Sequence, residues 1–171
     1  MKKFLLLPLF LIAMSFAAHA QRYAIIDTKY ILEKIPEYKD ANKKLEEMAD
    51  AWQKEIDLMQ SDLDKMYRQL DAERALLTPE LLKKREDEIF NKEKAVRDLQ
   101  RKRFGFEGDY FRKKQELVKP IQDKVYNAVQ RLATERMFDF ILDKSEGITV
   151  IFADPKLDKS DDVLKILGVK L

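Results

Sequence analysis

Between Tyr38 and Leu70 apolar side chains recur at steps of three and four, at Tyr38, Ala41, Leu45, Met48, Trp52, Ile56, Met59, Leu63, Met66 and Leu70, and Leu77 follows one heptad on. That period commits the segment to one long helix whose apolar seam must face another helix. At 1.5 Å per residue, about forty residues extend about 60 Å, too far to lie inside a domain of ordinary size. The helix therefore has to project. Tyr38, Leu45 and Trp52, with Ala41 and Met48, share one heptad register. Ile56, Leu63, Leu70 and Leu77, with Trp52, Met59 and Met66, share a second. The offset between residues 48 and 56 is a stutter, which locally unwinds a supercoil.

The stretch LTPE, Leu77 to Glu80, ends the helix, and Thr78 with Pro79 can cap and start another. The returning stripe is thinner: Leu82, Ile89, Val96, then Phe104, Tyr110 and Leu117. Residues 37–77 carry seven basic and eleven acidic side chains, whereas residues 79–118 carry twelve and nine. Opposite signs on the two strokes agree with an antiparallel hairpin, although each exposed pair contributes little. FGFEGDYF, Phe104 to Phe111, interrupts the return with two glycines, each costing about 1 kcal/mol in a helix interior. Folding about Leu77–Thr78 sets Gly105 opposite the stutter. Two readings stand there: an arm hinge at Trp52, Gly105 and Gly108 packed with Phe104 and Phe106, or two glycines tolerated in a loose coiled coil.

On either side of this arm the pattern changes. RYAIID, Arg22 to Asp27, reads as a strand centred on Ile25 and Ile26. A helical turn from Lys29 to Ile35 follows, with Thr28 as its cap, and Pro36 punctuates. After Pro120, which is positioned to kink the chain, Ile121, Val125, Ala128, Val129 and Leu132 form a dense helical face. FDFIL and ITVIF, divided by KSEG, then read as a two-stranded hairpin. Phe138, Phe140 and Leu142 share one face of it, and Ile148, Val150 and Phe152 share another. A short helix from Asp161 to Leu167, stopped by Gly168, closes the pattern.

Residues 1–20 read as a cleavable export signal. Lys2 and Lys3 precede an almost unbroken apolar run from Phe4 to Ala17, and Ala18-His19-Ala20 is a small-x-small cleavage site. Two of the 33 Lys and Arg residues and none of the 31 Asp and Glu lie there, which leaves 31 against 31 from Gln21 onward. A neutral mature chain offers no electrostatic footprint for nucleic acid. The one histidine, His19, also lies in the signal, and there are 0 cysteines. The mature chain thus lacks the commonest general base, a thiolate nucleophile and the usual zinc ligands. With no Gly-rich phosphate loop or paired-carboxylate site either, the reading is not an enzyme, with no catalytic residues, no metal and no cofactor. Packing or assembly, rather than disulfides, must stabilise the fold.

The order of these parts, from RYAIID through the charged hairpin to PIQDKVYNAVQRLATERMFDFILDKSEGITVIFADP, resembles the Skp (OmpH-like) family of periplasmic chaperones over residues 22 to 167. The matching residues are Pro120, Ile121, Ala128, Phe138, Asp139, Ile141, Asp143, Lys144 and Asp154, together with the leading AIID. The resemblance implies an α+β, predominantly helical fold: a small β-body for trimerisation carrying a long antiparallel coiled-coil hairpin arm. It implies a homotrimer in the periplasm that holds unfolded outer-membrane β-barrel proteins in a cavity between its arms, without ATP. Members are often strongly basic. The neutral mature chain departs from that pattern, which puts direct membrane or lipopolysaccharide contact in doubt.

On this reading residues 21–36 and 119–171 form the body and 37–118 the arm. Candidate trimer-interface and body residues are Ile25, Ile26, Phe138, Phe140, Leu142, Ile148, Val150 and Phe152. Candidate client-contacting residues are Met48, Tyr67, Phe90, Tyr110 and Phe111, since flexible methionine and aromatic side chains suit promiscuous surfaces. Met59 and Met66 sit on the stripe and are expected in the seam. The alternative reading is an exported coiled-coil structural or oligomerisation protein without chaperone activity, which would share every periodicity above.

Overall fold

The computed structural model describes residues 21–145, 147 and 150–170; the expected export signal, Ile148 and Thr149 lie outside them. The chain divides into two compact units, one from residues up to Lys34 and from Lys124 onward, the other Ile35–Asp123. Elements follow in the order β1 (Tyr23–Ile26), α1 (Thr28–Lys34), α2 (Pro36–Glu73), α3 (Pro79–Phe104), α4 (Asp109–Arg136), β2 (Phe140–Asp143), a 3-10 turn (Pro155–Leu157) and α5 (Ser160–Ile166). The fold is α+β and predominantly helical, as expected.

In the first unit β1 and β2 pair in parallel, Tyr23 opposite Phe140 and Ile26 opposite Asp143. Parallel strands need a crossover connection. Here the whole helical region from Thr28 to Arg136 is that connection. The expected hairpin is therefore not what FDFIL forms. Its partner is the N-terminal strand, and Val150, Ile151 and Phe152 carry no strand structure. The physical reason lies at the end of β2. Lys144 donates its backbone N–H to the Ile26 carbonyl at 2.8 Å, which extends the pairing with β1. The chain then leaves through Ser145 and Gly147, the latter at φ +76. The other edge of β1 is also taken: Ile25 bridges to Asp158, and Lys159 donates to the Ile25 carbonyl at 2.8 Å.

Ala24, Ile25, Ile26, Ile31, Val125, Ala128, Leu132, Val163 and Leu164 are the buried apolar residues of this unit. Helix α1 starts one residue before its expected position. Its cap is Asp27, whose carboxylate accepts from Tyr30 N–H at 2.9 Å, and not Thr28. The Thr28 side chain is used elsewhere, on Asp143. Helix α5 closes with Gly168 at φ +74, where Gly168 donates to the Lys165 carbonyl and Val169 to the Leu164 carbonyl, both at 3.0 Å. That is a Schellman ending, and glycine meets its left-handed position at no steric cost.

In the second unit α2 runs for 38 residues. Pro36 occupies its first turn, where a missing N–H has no consequence. Its buried positions are Ala41, Leu45, Ile56, Leu63 and Leu70. The last three repeat every seven residues, whereas eleven separate Leu45 from Ile56, so the stutter expected there is the interval the burial skips. Leu63 and Leu70 pack with Ile89 of α3, and Met66, Leu77 and Leu82 lie against that cluster. Thr78 caps α3 as its sequence suggests, accepting from Leu81 N–H at 3.3 Å, with Pro79 in the first turn. The charge asymmetry between the strokes is expressed weakly. Among the described residues, the ion pairs joining the two strokes are Arg74, just past α2, with Glu86 at 3.9 Å and Arg103 with Glu55 at 3.1 Å. The others of the arm lie between helical neighbours or beside the glycine break, so the seam is held by apolar packing. Pro120 sits inside α4, which continues through it.

Candidate functional site

The returning stroke is broken cleanly. Helix α3 stops at Phe104, Gly105 is extended at φ −68 and ψ 175, and α4 begins at Asp109. A side chain on Gly108 would lie 2.9 Å from the carbonyl oxygens of Gly105 and Lys102, so the turn closes only with glycine there. A carbon on Gly105 would meet the Arg101 carbonyl oxygen at 2.3 Å.

Around this break the arm gathers its aromatic and charged groups. Trp52 of α2 meets Phe104 edge-on at 6.2 Å between ring centres, and Phe104 meets Tyr110 at the same distance. The Arg103 guanidinium lies 5.0 Å from the centre of the Trp52 ring. It also donates to Asp109 at 2.8 Å and to Glu55 at 3.1 Å. Arg112 completes the set by bonding Asp109 and the Glu107 carbonyl. The hydrogen bond from Arg103, against a smaller effect of burial, holds the Asp109 carboxyl below its ordinary range; Arg112 adds to this. Phe106, expected to pack here, does not: it is 96% exposed in the connector, because Glu107 turns the chain at φ 53.

The candidate contact residues are spread along the arm. Met48 is half-buried and lines a shallow groove of about 410 Å³ with Lys44, Glu47, Ala51, Lys113 and Leu117. Phe90 is 60% exposed, and Phe111 is exposed as well. The Tyr67 ring is partly exposed while its hydroxyl donates to Glu93, which raises that hydroxyl's pKa. Tyr110 is half-buried against Phe104. Met66 packs in the seam cluster as its place on the stripe implies, and Met59 is half-buried.

In the body, Ile25 and Ile26 are consumed by the chain's own core. Phe138 is half-buried under the Arg22 guanidinium, at 5.9 Å. Phe140 stacks on Tyr23 at 5.7 Å between ring centres, and both rings remain exposed at the sheet edge. Leu142 and Val150 are half-buried, and Phe152 is 84% exposed.

Two carboxylates that sequence reading left without a role organise this unit. Asp143 accepts from Thr28 N–H at 3.1 Å, from the Thr28 hydroxyl, and from the N–H and hydroxyl of Ser145. Asp158 accepts from Lys144 at 2.7 Å and from the N–H and hydroxyl of Ser160. Ser160 in turn accepts from Asp27 N–H at 2.9 Å. An Asp-Lys pair just past a strand is the available signal, but its partners lie too far along the chain to be paired by spacing. Among the described residues no group of His, Cys, Asp and Glu side chains is arranged to hold a metal, and no helix is long and apolar enough to cross a membrane.

In chain order a long helical hairpin lies between two short parallel strands, and exposed aromatic side chains are strung along it. The family model for outer membrane proteins of the OmpH-like type matches residues 22–167, and the chain belongs to that family. It is 26% identical over 154 residues to the chaperone protein Skp of Yersinia enterocolitica, covering 90% of each chain. Its fold is similar to a crystal structure described as an OmpH-like outer membrane chaperone from Caulobacter crescentus CB15, with a TM-score of 0.68. That match covers 91% of this chain and 88% of the other at 15% identity, and so concerns the fold.

Proposed function

We propose that this protein is a periplasmic, ATP-independent holdase and not an enzyme: a homotrimer whose arms enclose unfolded outer-membrane β-barrel proteins and prevent their aggregation. The supporting observation is membership of an outer-membrane chaperone family over nearly the whole chain, combined with an arm that carries Phe90 and Phe111 exposed between charged residues. Unfolded β-barrel chains are apolar and heterogeneous. Scattered aromatic contacts suit them better than a single pocket, and three arms supply avidity where each contact is feeble. Met48, Tyr67, Phe90, Tyr110 and Phe111 are the proposed contacts. Residues 1–20 act as the cleaved export signal, the body forms the trimer through the exposed side of Phe140, Val150 and Phe152, and the break at Gly105 and Gly108 beside Trp52 is the arm hinge.

The test is aggregation of a denatured β-barrel outer-membrane protein diluted into buffer without nucleotide. The expected result is suppression that saturates at one trimer per client. Unchanged light scattering across the concentration series would overturn the chaperone reading and leave a structural coiled-coil module.

A further inference from the structure

We propose that Arg103 is a latch that closes the aromatic cluster Trp52–Phe104–Tyr110 over the glycine break, and that releasing it opens the arm locally at that level. Three things must be held together there: α2, which runs past the break uninterrupted; the end of α3; and the start of α4. Among the described residues, Arg103 is the one side chain that bonds to both α2 and α4 from the end of α3. One nitrogen of its fork reaches Glu55 on α2, the other reaches Asp109 in the first turn of α4, and the guanidinium carbon lies over the Trp52 ring. The rigid planar fork suits this double engagement, which a lysine cannot reproduce.

The packing around it is that of a closed joint and not of a solvated ion pair. The Arg103 and Asp109 side chains are 22% and 16% exposed, against the open i,i+3 and i,i+4 pairs elsewhere on the arm. Beneath the guanidinium the seam is at its weakest, since burial on α2 skips from Leu45 to Ile56. Backbone continuity is also lost on the facing stroke, at residues 105 to 108. At this level the aromatic cluster and the bonds of Arg103 therefore carry the tie between the strokes together.

Because Trp52 is the one tryptophan, its emission reports this site alone. In the full mature protein, Arg103→Gln should red-shift Trp52 emission, raise its quenching by acrylamide, and speed amide exchange across residues 101–112 by about tenfold. That is the scale expected when one ion-pair network and one cation–π contact are lost together. Glu55→Gln combined with Asp109→Asn, which keeps the Arg103 stem, should do the same, and Arg103→Lys should rescue only part. Salt supplies a second arm. The Arg103 pairs are partly buried and so are screened less than the open pairs of the arm; salt near ~1 M should move the native protein only part of the way towards the Arg103→Gln behaviour, while that variant barely responds. Unchanged Trp52 emission and exchange in both variants, with helicity retained, would overturn the latch, as would an equal salt response in native and variant protein. No client is present in these measurements, so this failure is distinct from failure of the chaperone reading.

Discussion

The Asp143 carboxylate is bonded by both the backbone N–H and the hydroxyl of Thr28, a residue 115 positions earlier in the chain. The whole arm lies between them in sequence. The end of β2 is thereby tied to the start of α1, at the point where the chain leaves the sheet. Asp143→Ala should leave the Thr28 and Ser145 N–H groups without their acceptor and lower the stability of the body by about 2 kcal/mol. Urea unfolding followed by near-ultraviolet signals from the body checks this. A midpoint equal to that of the native protein would show the tie to be incidental.

The same carboxylate and Asp158 set a dependence on acid. Burial alone would raise the Asp143 carboxyl, but hydrogen bonds from Thr28 and Ser145 outweigh it and hold the group below its ordinary value. Asp158 follows the same balance, with burial opposed by Lys144 and Ser160. A carboxyl depressed in the folded state binds fewer protons there than in the unfolded chain, so acid favours unfolding. Their contribution is complete above the unfolded value, about 4, and is lost as pH falls below it through the folded values. Urea midpoints should hold from neutral pH down to about 5 and then drop, and Asp143→Asn should flatten the drop.

The arm was legible because its signals are local. Period, the Thr78-Pro79 start and the paired glycines each act within a few residues, and the burial of Leu63, Leu70 and Ile89 follows from them. The body was legible only in part. FDFIL announces a strand, but its parallel partner at Tyr23–Ile26 lies across the entire arm, and parallel pairing leaves no turn between its strands to be read. KSEG looked like a hairpin turn because local closure costs little, yet Lys144 spends its N–H on Ile26. Thr28 was misjudged for a related reason: an N-cap is judged from its neighbours, and its hydroxyl answers to Asp143. Arg103 read as one more charge in a basic run. Only three-dimensional contact with Trp52, Glu55 and Asp109 separates it from Arg101 and Lys102.

The arm seam predicts its own weak point. Leu63 is buried against Ile89 and Leu70, with Met66, Leu77 and Leu82 packed against the same cluster. Leu63→Ala should therefore cost about 2–3 kcal/mol, at the lower end of buried leucine deletions because a two-helix seam can partly collapse. Leu58→Ala, at an exposed position of the same helix, should change stability by less than about 0.5 kcal/mol. Thermal unfolding monitored by helicity distinguishes the two, and equal shifts would mean that the stripe is not the seam.

Assembly through the body gives the last prediction. Phe140 and Tyr23 stack at an exposed sheet edge, and Phe152 stands nearly free of its own chain, so a trimer joined there would bury all three rings. Phe140→Asp would place an unpaired charge in that interface while disturbing little inside one chain, because the ring is already partly exposed. The native protein should sediment as a trimer and the variant as a monomer of unchanged helicity. Phe152→Asp should act alike, whereas Phe106→Asp, on the arm connector, should leave the mass untouched. A Phe140→Asp protein that remains trimeric at micromolar concentration would place the assembly surface elsewhere on the chain.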